Sequence, residues 1–293
     1  MNLENNPRPE STDAESAASV PEESSPLIEE HEEEVSQNGR KVRRRGIYLL
    51  PNLLTTGALF AGFYAVIAGM GGDFHNACAA LLVAMFFDGM DGRVARLTNT
   101  QSAFGAEFDS LSDMVAFGVA PALICFSWAL SGLGKLGWTV AFVYVACAAL
   151  RLARFNVQRT ETDKRFFVGL ASPSAAGLVA FMVWAFSSFD VEVTLPMSIM
   201  AAVVTGLAGL LMVANVRYYS FKDLDFKNPV PFFLTLVSVF VIVVVSWDPP
   251  TMLFLMAVTY ASSGPLMAIY LRRKRKVAEV TASTVAANSE RQE

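Results

Sequence analysis

Between residues 47 and 271 the sequence alternates long apolar runs with short polar breaks, and eight runs stand out: 47–70, 75–94, 106–130, 135–155, 169–189, 194–213, 229–247 and 251–271. Each approaches the roughly 20 residues that a helix needs to cross a hydrocarbon core about 30 Å thick. The breaks alternate in character. Those at Gly71-Gly72, at Ser187-Ser188-Phe189-Asp190 and at Asp248-Pro249-Pro250 carry no Lys or Arg, and the turn near Gly132 carries only Lys135. The others hold Arg93 and Arg96, then Arg151, Arg154, Arg159, Lys164 and Arg165, then Arg217, Lys222 and Lys227, and last the basic run 272–276. Basic loops stay on the cytoplasmic side of a membrane, so the pattern predicts an all-α, polytopic transmembrane helical bundle of about eight spans with both termini cytoplasmic. A missed or invented span would break the alternation. No internal repeat is visible, which disfavours a transporter built from paired halves.

Outside the apolar runs the composition changes. Residues 1–39 are rich in Glu, Ser, Pro and Asn, with an acidic run at 29–34 broken only by His31, and this predicts a disordered tail. The tail has no apolar stretch of the kind a secretory signal requires. A basic cluster follows at Arg40, Lys41, Arg43, Arg44 and Arg45, and the expected organisation is a transmembrane domain over 40–276 with a second disordered tail at 277–293. With 53% hydrophobic and 17% charged residues the chain is too apolar for an ordinary soluble domain. Its formal charge of −4 hides the contrast between tail and domain and says little about partners; no nucleic acid partner is expected. Cys78, Cys125 and Cys147 all sit inside apolar runs, so no disulfide framework is implied. His31 and His75 are the only histidines, which excludes a His-based zinc site and a Ser-His-Asp triad. Chemistry in this chain must use carboxylates.

The second run ends Phe86-Phe87-Asp88-Gly89-Met90-Asp91-Gly92-Arg93-Val94-Ala95-Arg96, and the third opens Ser102-Ala103-Phe104-Gly105-Ala106-Glu107-Phe108-Asp109-Ser110-Leu111-Ser112-Asp113. At about 100° per residue, Asp88, Asp91, Gly92, Ala95 and Arg96 share one helix face, and Gly105, Asp109 and Asp113 form a stripe on the other helix. At about 1.5 Å per residue, Asp88 lies roughly 12 Å in from Arg96, and Asp113 roughly 12 Å in from Gly105. The short link makes the helices antiparallel neighbours, so the four acids converge at one level in a pocket open to the cytoplasmic side. Such acids are costly in apolar helices unless they face a cavity, pair, or bind cations. Oxygen-only ligands select hard cations, which points to Mg²⁺ or Mn²⁺ rather than zinc. Two other readings stand beside this one: solvated helix-end charges with glycines serving close packing, and a conduction path of the kind a divalent-cation transporter needs. Gly and Ala between the acids also leave room for a bulky neighbour to the metal, such as a nucleotide phosphate.

The spacing Asp88-x2-Asp91-Gly92-x2-Ala95-Arg96-x8-Gly105-x3-Asp109-x3-Asp113 resembles the signature of the CDP-alcohol phosphotransferase family of membrane enzymes, with every signature position present. The stretches Leu50-Pro51-Asn52-Leu53-Leu54-Thr55-Thr56-Gly57, Leu150-Arg151-Leu152-Ala153-Arg154-Phe155-Asn156 and Gly169-Leu170-Ala171-Ser172-Pro173-Ser174-Ala175-Ala176 resemble the integral-membrane bacterial branch whose acceptor is serine. The resemblance covers about residues 46–275 and leaves out both tails.

The resemblance implies transfer of a phosphatidyl group from CDP-diacylglycerol to the hydroxyl of L-serine with release of CMP, at the inner or plasma membrane, in a site facing the cytoplasm. It implies two Mg²⁺ or Mn²⁺ ions held by Asp88, Asp91, Asp109 and Asp113, with Asp113 also the general base toward the serine hydroxyl. Gly92, Ala95 and Gly105 are expected to line a nucleotide pocket and Arg96 to contact its phosphates. Asn52 and Thr55 are expected to reach the nucleotide from the first span, although a helix start with polar caps after Pro51 accounts for the same two residues. Arg151, Arg154 and Lys164 are expected near the acceptor carboxylate, against the alternative that they anchor helix ends at the membrane surface. The partners implied are the two substrates, membrane lipid and a second copy of the chain in a homodimer. Another acceptor, glycerol 3-phosphate or choline, stays open within the family.

Overall fold

The computed structural model of the chain describes residues 35–37, 40–42, 49–98, 100, 102–158, 166–189, 192–219 and 232–289. The chain divides into two units, Met1–Arg45 and Gly46–Glu293. In the first, the described residues form a short antiparallel ladder in which β1 (Val35–Gln37) pairs with β2 (Arg40–Val42). The rest of the acidic tail expected over 1–39 lies outside the described residues.

The second unit is built of α1 (Leu49–Met70), α2 (Phe74–Leu97), α3 (Ala103–Asp113), α4 (Ala120–Trp128), α5 (Lys135–Gln158), α6 (Ser172–Ser187), α7 (Leu195–Val213), α8 (Phe232–Trp247) and α9 (Pro249–Ser289). A second ladder pairs β3 (Phe166–Val168) with β4 (Arg217–Tyr219). α3 runs into α4 through a π-helical stretch at Met114–Val119. The described helices therefore make eight rods, one for each apolar run, and the expected polytopic helical bundle is what the chain forms. Five rods are long and apolar enough to cross a membrane: Leu49–Met70, Phe104–Trp128, Lys135–Val157, Leu195–Val213 and Pro249–Tyr270. The others fall short for visible reasons. α2 carries Asp88, Asp91, Arg93 and Arg96 in its last turns, and α6 and α8 have 16 residues each. α9 departs from expectation at its far end, remaining helical to Ser289 where a disordered tail is expected from 277; residues 277–289 contain neither Gly nor Pro, so nothing local stops the helix.

Local signals set the starts of the acidic helices. Asp73 caps α2, its carboxylate accepting from the Asn76 backbone N–H at 3.1 Å and from Asn76 Nδ2 at 2.6 Å. Those bonds, the backbone one foremost, hold the Asp73 carboxyl below its ordinary range. Ser102 caps α3 by accepting from the Gly105 N–H at 2.9 Å.

Small residues then bring the rods together. α1 buries Ala58, Ala61, Gly62, Ala65 and Gly69. A Cβ on Gly62 would lie 2.7 Å from the Ala116 Cα, and one on Gly69 would lie 2.7 Å from Ile124 Cγ1, so α1 crosses the π stretch and α4 almost backbone to backbone. α6 is the central rod: every residue from 175 to 185 is buried. α8 does the reverse and exposes Leu236, Phe240, Ile242 and Val243, a surface suited to lipid.

Two prolines sit inside these rods, and each has the same remedy. Pro121 has no N–H to give to the Phe117 carbonyl one turn back, and that carbonyl accepts instead from the buried Tyr144 hydroxyl at 3.1 Å. Pro265 likewise leaves the Ala261 carbonyl without its helical donor, and the Tyr218 hydroxyl donates to it at 3.0 Å. Gly264 makes the socket, since any Cβ there would run into the Tyr218 ring. In hydrocarbon an orphaned carbonyl finds no water, so each tyrosine supplies what its proline removes.

Tyr144→Phe is expected to lower stability by about 1–3 kcal/mol, the cost of a buried acceptor left unpaired. Reversible denaturation in detergent micelles measures this. Adding Pro121→Ala to Tyr144→Phe returns the backbone donor and should recover part of the loss; equal stability of Tyr144→Phe and the native chain would contradict the assignment.

Candidate active site

Five helix ends meet around a cavity of about 850 Å³. The start of α1 contributes Pro51, Asn52 and Thr55; the end of α2 contributes Asp88, Asp91, Gly92, Ala95 and Arg96; and α3 contributes Gly105 near its start, Asp109 mid-helix and Asp113 at its last position. The lining is completed by Arg151, Leu152 and Phe155 at the end of α5, and by Ala171, Ser172 and Pro173 at the start of α6. All these ends lie on the side of the bundle that carries the basic loops. The α6 start is delivered there by Gly169, whose φ of 84° is accessible to glycine and whose N–H donates to the Val216 carbonyl at 2.8 Å. The next N–H, of Leu170, donates to the Leu211 carbonyl at 2.9 Å.

The acids occupy one wall. Carboxylate oxygens of Asp88, Asp91 and Asp109 lie within 4.8 Å of one another, and Asp91 is buried. The side chains of Asp88 and Asp113 meet, one from α2 and one from α3, as do those of Asp91 and Asp109. From α1, the Thr55 hydroxyl donates to Asp91 Oδ2 at 2.7 Å, and the Thr55 carbonyl accepts from the Ser112 hydroxyl at 3.2 Å. The cluster suits a divalent cation: its donors are all oxygen, they belong to three carboxylates, and they are close enough to share one ion. Asp88, Asp91 and Asp109 are the residues that would hold it, with Asp113 alongside.

Of the residues expected around a nucleotide, Asn52, Gly92, Ala95, Arg96 and Gly105 all line this cavity. Asn52 Oδ1 stands 3.3 Å from where a Gly105 Cβ would be, so α1 and α3 touch at the rim. A Cβ on Gly92 would meet nothing within 4 Å and would point into open space. Arg96 is exposed, its Nε donating to the Gly92 carbonyl at 2.8 Å. Thr55 lines the cavity too, but its hydroxyl is engaged with Asp91 rather than open to a ligand.

The expected acceptor cations divide. Arg151 lines the cavity, its Nη1 reaching the Met212 carbonyl at 3.5 Å. Arg154 is not among the lining residues; three positions further along α5, it sits about 4.5 Å nearer the helix end. Lys164 lies outside the described residues. The cavity also takes in Thr100, Ser102, Phe155 and Ser172, which the sequence does not single out. Thr100 and Ser102 carried a weak signal, being hydroxyl residues in the link between the two acidic helices. Ser172 carried none beyond its place in the stretch 169–176.

A helical membrane protein with a cavity-lining carboxylate cluster defines a class, and comparison of sequences places the chain within it. Residues 48–217 match the family model described as CDP-alcohol phosphatidyltransferase. A Helicobacter pylori (strain ATCC 700392 / 26695) protein named CDP-diacylglycerol–serine O-phosphatidyltransferase is 40% identical over 182 residues, 62% of this chain and 76% of that one. Proteins of the same name from Bacillus subtilis (strain 168) and Methanocaldococcus jannaschii are 30% identical over 179 residues and 35% identical over 158 residues. These matches cover 61% of this chain and 94% of the Bacillus protein, and 54% of this chain and 71% of the Methanocaldococcus protein. The chain belongs to the CDP-alcohol phosphatidyltransferase family, and it is a multi-pass membrane transferase. The matched region contains every cavity-lining residue and stops short of α8 and α9.

Two alanine replacements separate packing glycines from cavity glycines. Gly62→Ala forces a methyl against the Ala116 backbone and should lower thermal stability with or without substrate. Gly92→Ala meets no protein atom and should leave thermal stability unchanged while raising KM for the nucleotide-bearing substrate. Thermal unfolding and initial-rate kinetics on both variants check the contrast.

Proposed function

We propose that the chain transfers the phosphatidyl group of CDP-diacylglycerol to the hydroxyl of L-serine, giving phosphatidylserine and CMP in phospholipid biosynthesis. The observation that carries this is the Asp88, Asp91 and Asp109 cluster, flanked by Asp113, in a chain 40% identical to a protein that bears the name of that reaction. In this reading the catalytic domain spans 40–276 in the inner or plasma membrane, works as a homodimer, and opens its cavity to the cytoplasm. The basic loops at the cavity end support that orientation.

Each wall of the cavity then has a task. Two Mg²⁺ or Mn²⁺ ions, when bound at the aspartates, supply positive charge against the diphosphate and the departing CMP. Gly92, Ala95 and Gly105 offer no side chain that would fill the space a nucleotide needs, Asn52 borders it from α1, and Arg96 donates to its phosphates. Asp113 accepts the proton of the serine hydroxyl as that oxygen bonds to the phosphorus and the bond from phosphorus to the CMP oxygen breaks. Arg151 faces the carboxylate of serine from the opposite wall. Positioning and charge stabilisation supply most of the acceleration in transfers of this kind, and both depend on rigid helix ends.

Membranes containing the chain, given CDP-diacylglycerol and one alcohol at a time, test the reading through CMP release. Serine should give release well above buffer; release with glycerol 3-phosphate or choline and none with serine would refute the acceptor. Asp113→Asn should reduce the rate by about 10²–10⁴-fold while the protein still inserts. Arg151→Ala should raise KM for serine by about tenfold or more, as loss of a charge-assisted bond does, and leave KM for CDP-diacylglycerol nearly unchanged.

A further inference from the structure

Threonines in these helices mostly bond back to their own backbone. Thr56 donates to the Asn52 carbonyl at 2.7 Å, Thr139 to Lys135 at 2.7 Å and Thr259 to Leu255 at 2.8 Å, each one turn earlier. Thr55 is different. The same local acceptor, the Pro51 carbonyl, is available at 3.1 Å, yet Asp91 Oδ2 lies closer at 2.7 Å. A hydroxyl has one proton, and a carboxylate oxygen at the shorter distance takes it in preference to a neutral carbonyl. Thr55 is buried, 3% exposed, so water does not compete for the bond.

The bond fixes more than one side chain. Held through Oδ2, the Asp91 carboxylate keeps a defined orientation relative to Asp88 and Asp109. The Thr55 carbonyl meanwhile accepts from Ser112, the residue before Asp113. One residue of α1 therefore braces both acidic helices, α2 through its hydroxyl and α3 through its backbone.

We propose that Thr55 is a positioning residue for the cation site: its hydroxyl orients Asp91, and the affinity of the cluster for a divalent ion depends on that bond. The proposal rests on the reading of the aspartates as a cation site. Donors that orient a metal-ligating carboxylate change metal affinity by about 10–100-fold when removed, without touching the ion themselves.

The test measures Mn²⁺ binding by the loss of the free-ion paramagnetic resonance signal, on the full chain in detergent with no lipid substrate. Thr55→Val, close in shape but without the hydroxyl, should bind Mn²⁺ about 10–100-fold more weakly, and Thr55→Ser should bind close to the native level. The Ser112 tie survives in both because it uses the carbonyl, and thermal unfolding verifies that each variant is folded; Thr55→Ala carries the same expectation should valine not be tolerated. Thr56→Val, which loses only a bond to its own helix, should bind as the native chain does. Native-like Mn²⁺ binding by Thr55→Val, or equal weakening in Thr55→Val and Thr56→Val, overturns the proposal. Asp91→Asn separates this from failure of the site itself: if Asp91→Asn also binds like the native chain, the cluster is not the cation site and the proposal falls with it.

Discussion

Carboxylates gathered within 4.8 Å of one another repel, and on helices that run into hydrocarbon little solvent is at hand to screen them. Much of what is particular about this bundle answers that constraint. A donor reaches Asp91 from α1, where Thr55 turns away from its own helix to supply it. Open space beside the acids is left at Gly92, where a Cβ would meet no protein atom within 4 Å. Support comes from the close approach of α1 to the π stretch, which only glycine and alanine permit at Gly62 and Ala116.

Backbone carbonyls face a related difficulty, and the bundle solves it twice in one way. Proline breaks a helical bond at Phe117 and again at Ala261, and a tyrosine from another element closes each gap. The first repair falls on Phe117, within the π stretch that follows Asp113, so it steadies the segment next to that acid. The second ties β4 to α9, and Tyr218 also packs against Tyr260 with ring centroids 5.6 Å apart. Since β4 pairs with β3, and β3 leads through Gly169 into α6, this anchor helps to hold the far wall of the cavity in place. Irregular backbone thus occurs here where side chains satisfy it, as a membrane interior demands.

Periodicity made most of the architecture readable. Eight apolar runs became eight rods because their length and composition leave a chain in lipid little alternative. The acidic faces were readable for the same reason: 3.6-residue repetition puts Asp88 and Asp91, and Asp109 and Asp113, on matching stripes whatever surrounds them. Relations between helices distant in sequence were not readable. Nothing local distinguishes Thr55 from Thr56, and only the rotation of α1 against α2 sends one hydroxyl to Asp91 and the other back to Asn52. Arg151 and Arg154 look alike in the sequence, and the orientation of α5 brings only Arg151 to the cavity. The extension of α9 to Ser289 was missed because an absence of helix breakers is a weaker signal than an apolar face.

The cavity has two walls of different character, and this bears on how far the family assignment reaches. α1, α2 and α3 form the acidic wall, where the spaced signature residues stand, and its chemistry suits the nucleotide diphosphate that family members share. α5 and α6 form the other, where the described residues include the Arg151 guanidinium, the hydroxyl of Ser172, and apolar surface from Leu152 and Phe155. In the proposed reaction the acceptor alcohol approaches the phosphorus from the side opposite the departing nucleotide, which would assign it to the second wall. In the proposed reaction the Arg151 guanidinium suits an acceptor that carries a carboxylate, as serine does, better than choline, which offers it no negative partner. In that reading the spaced aspartates serve the group that is transferred, and the α5–α6 wall is where the choice of recipient is made.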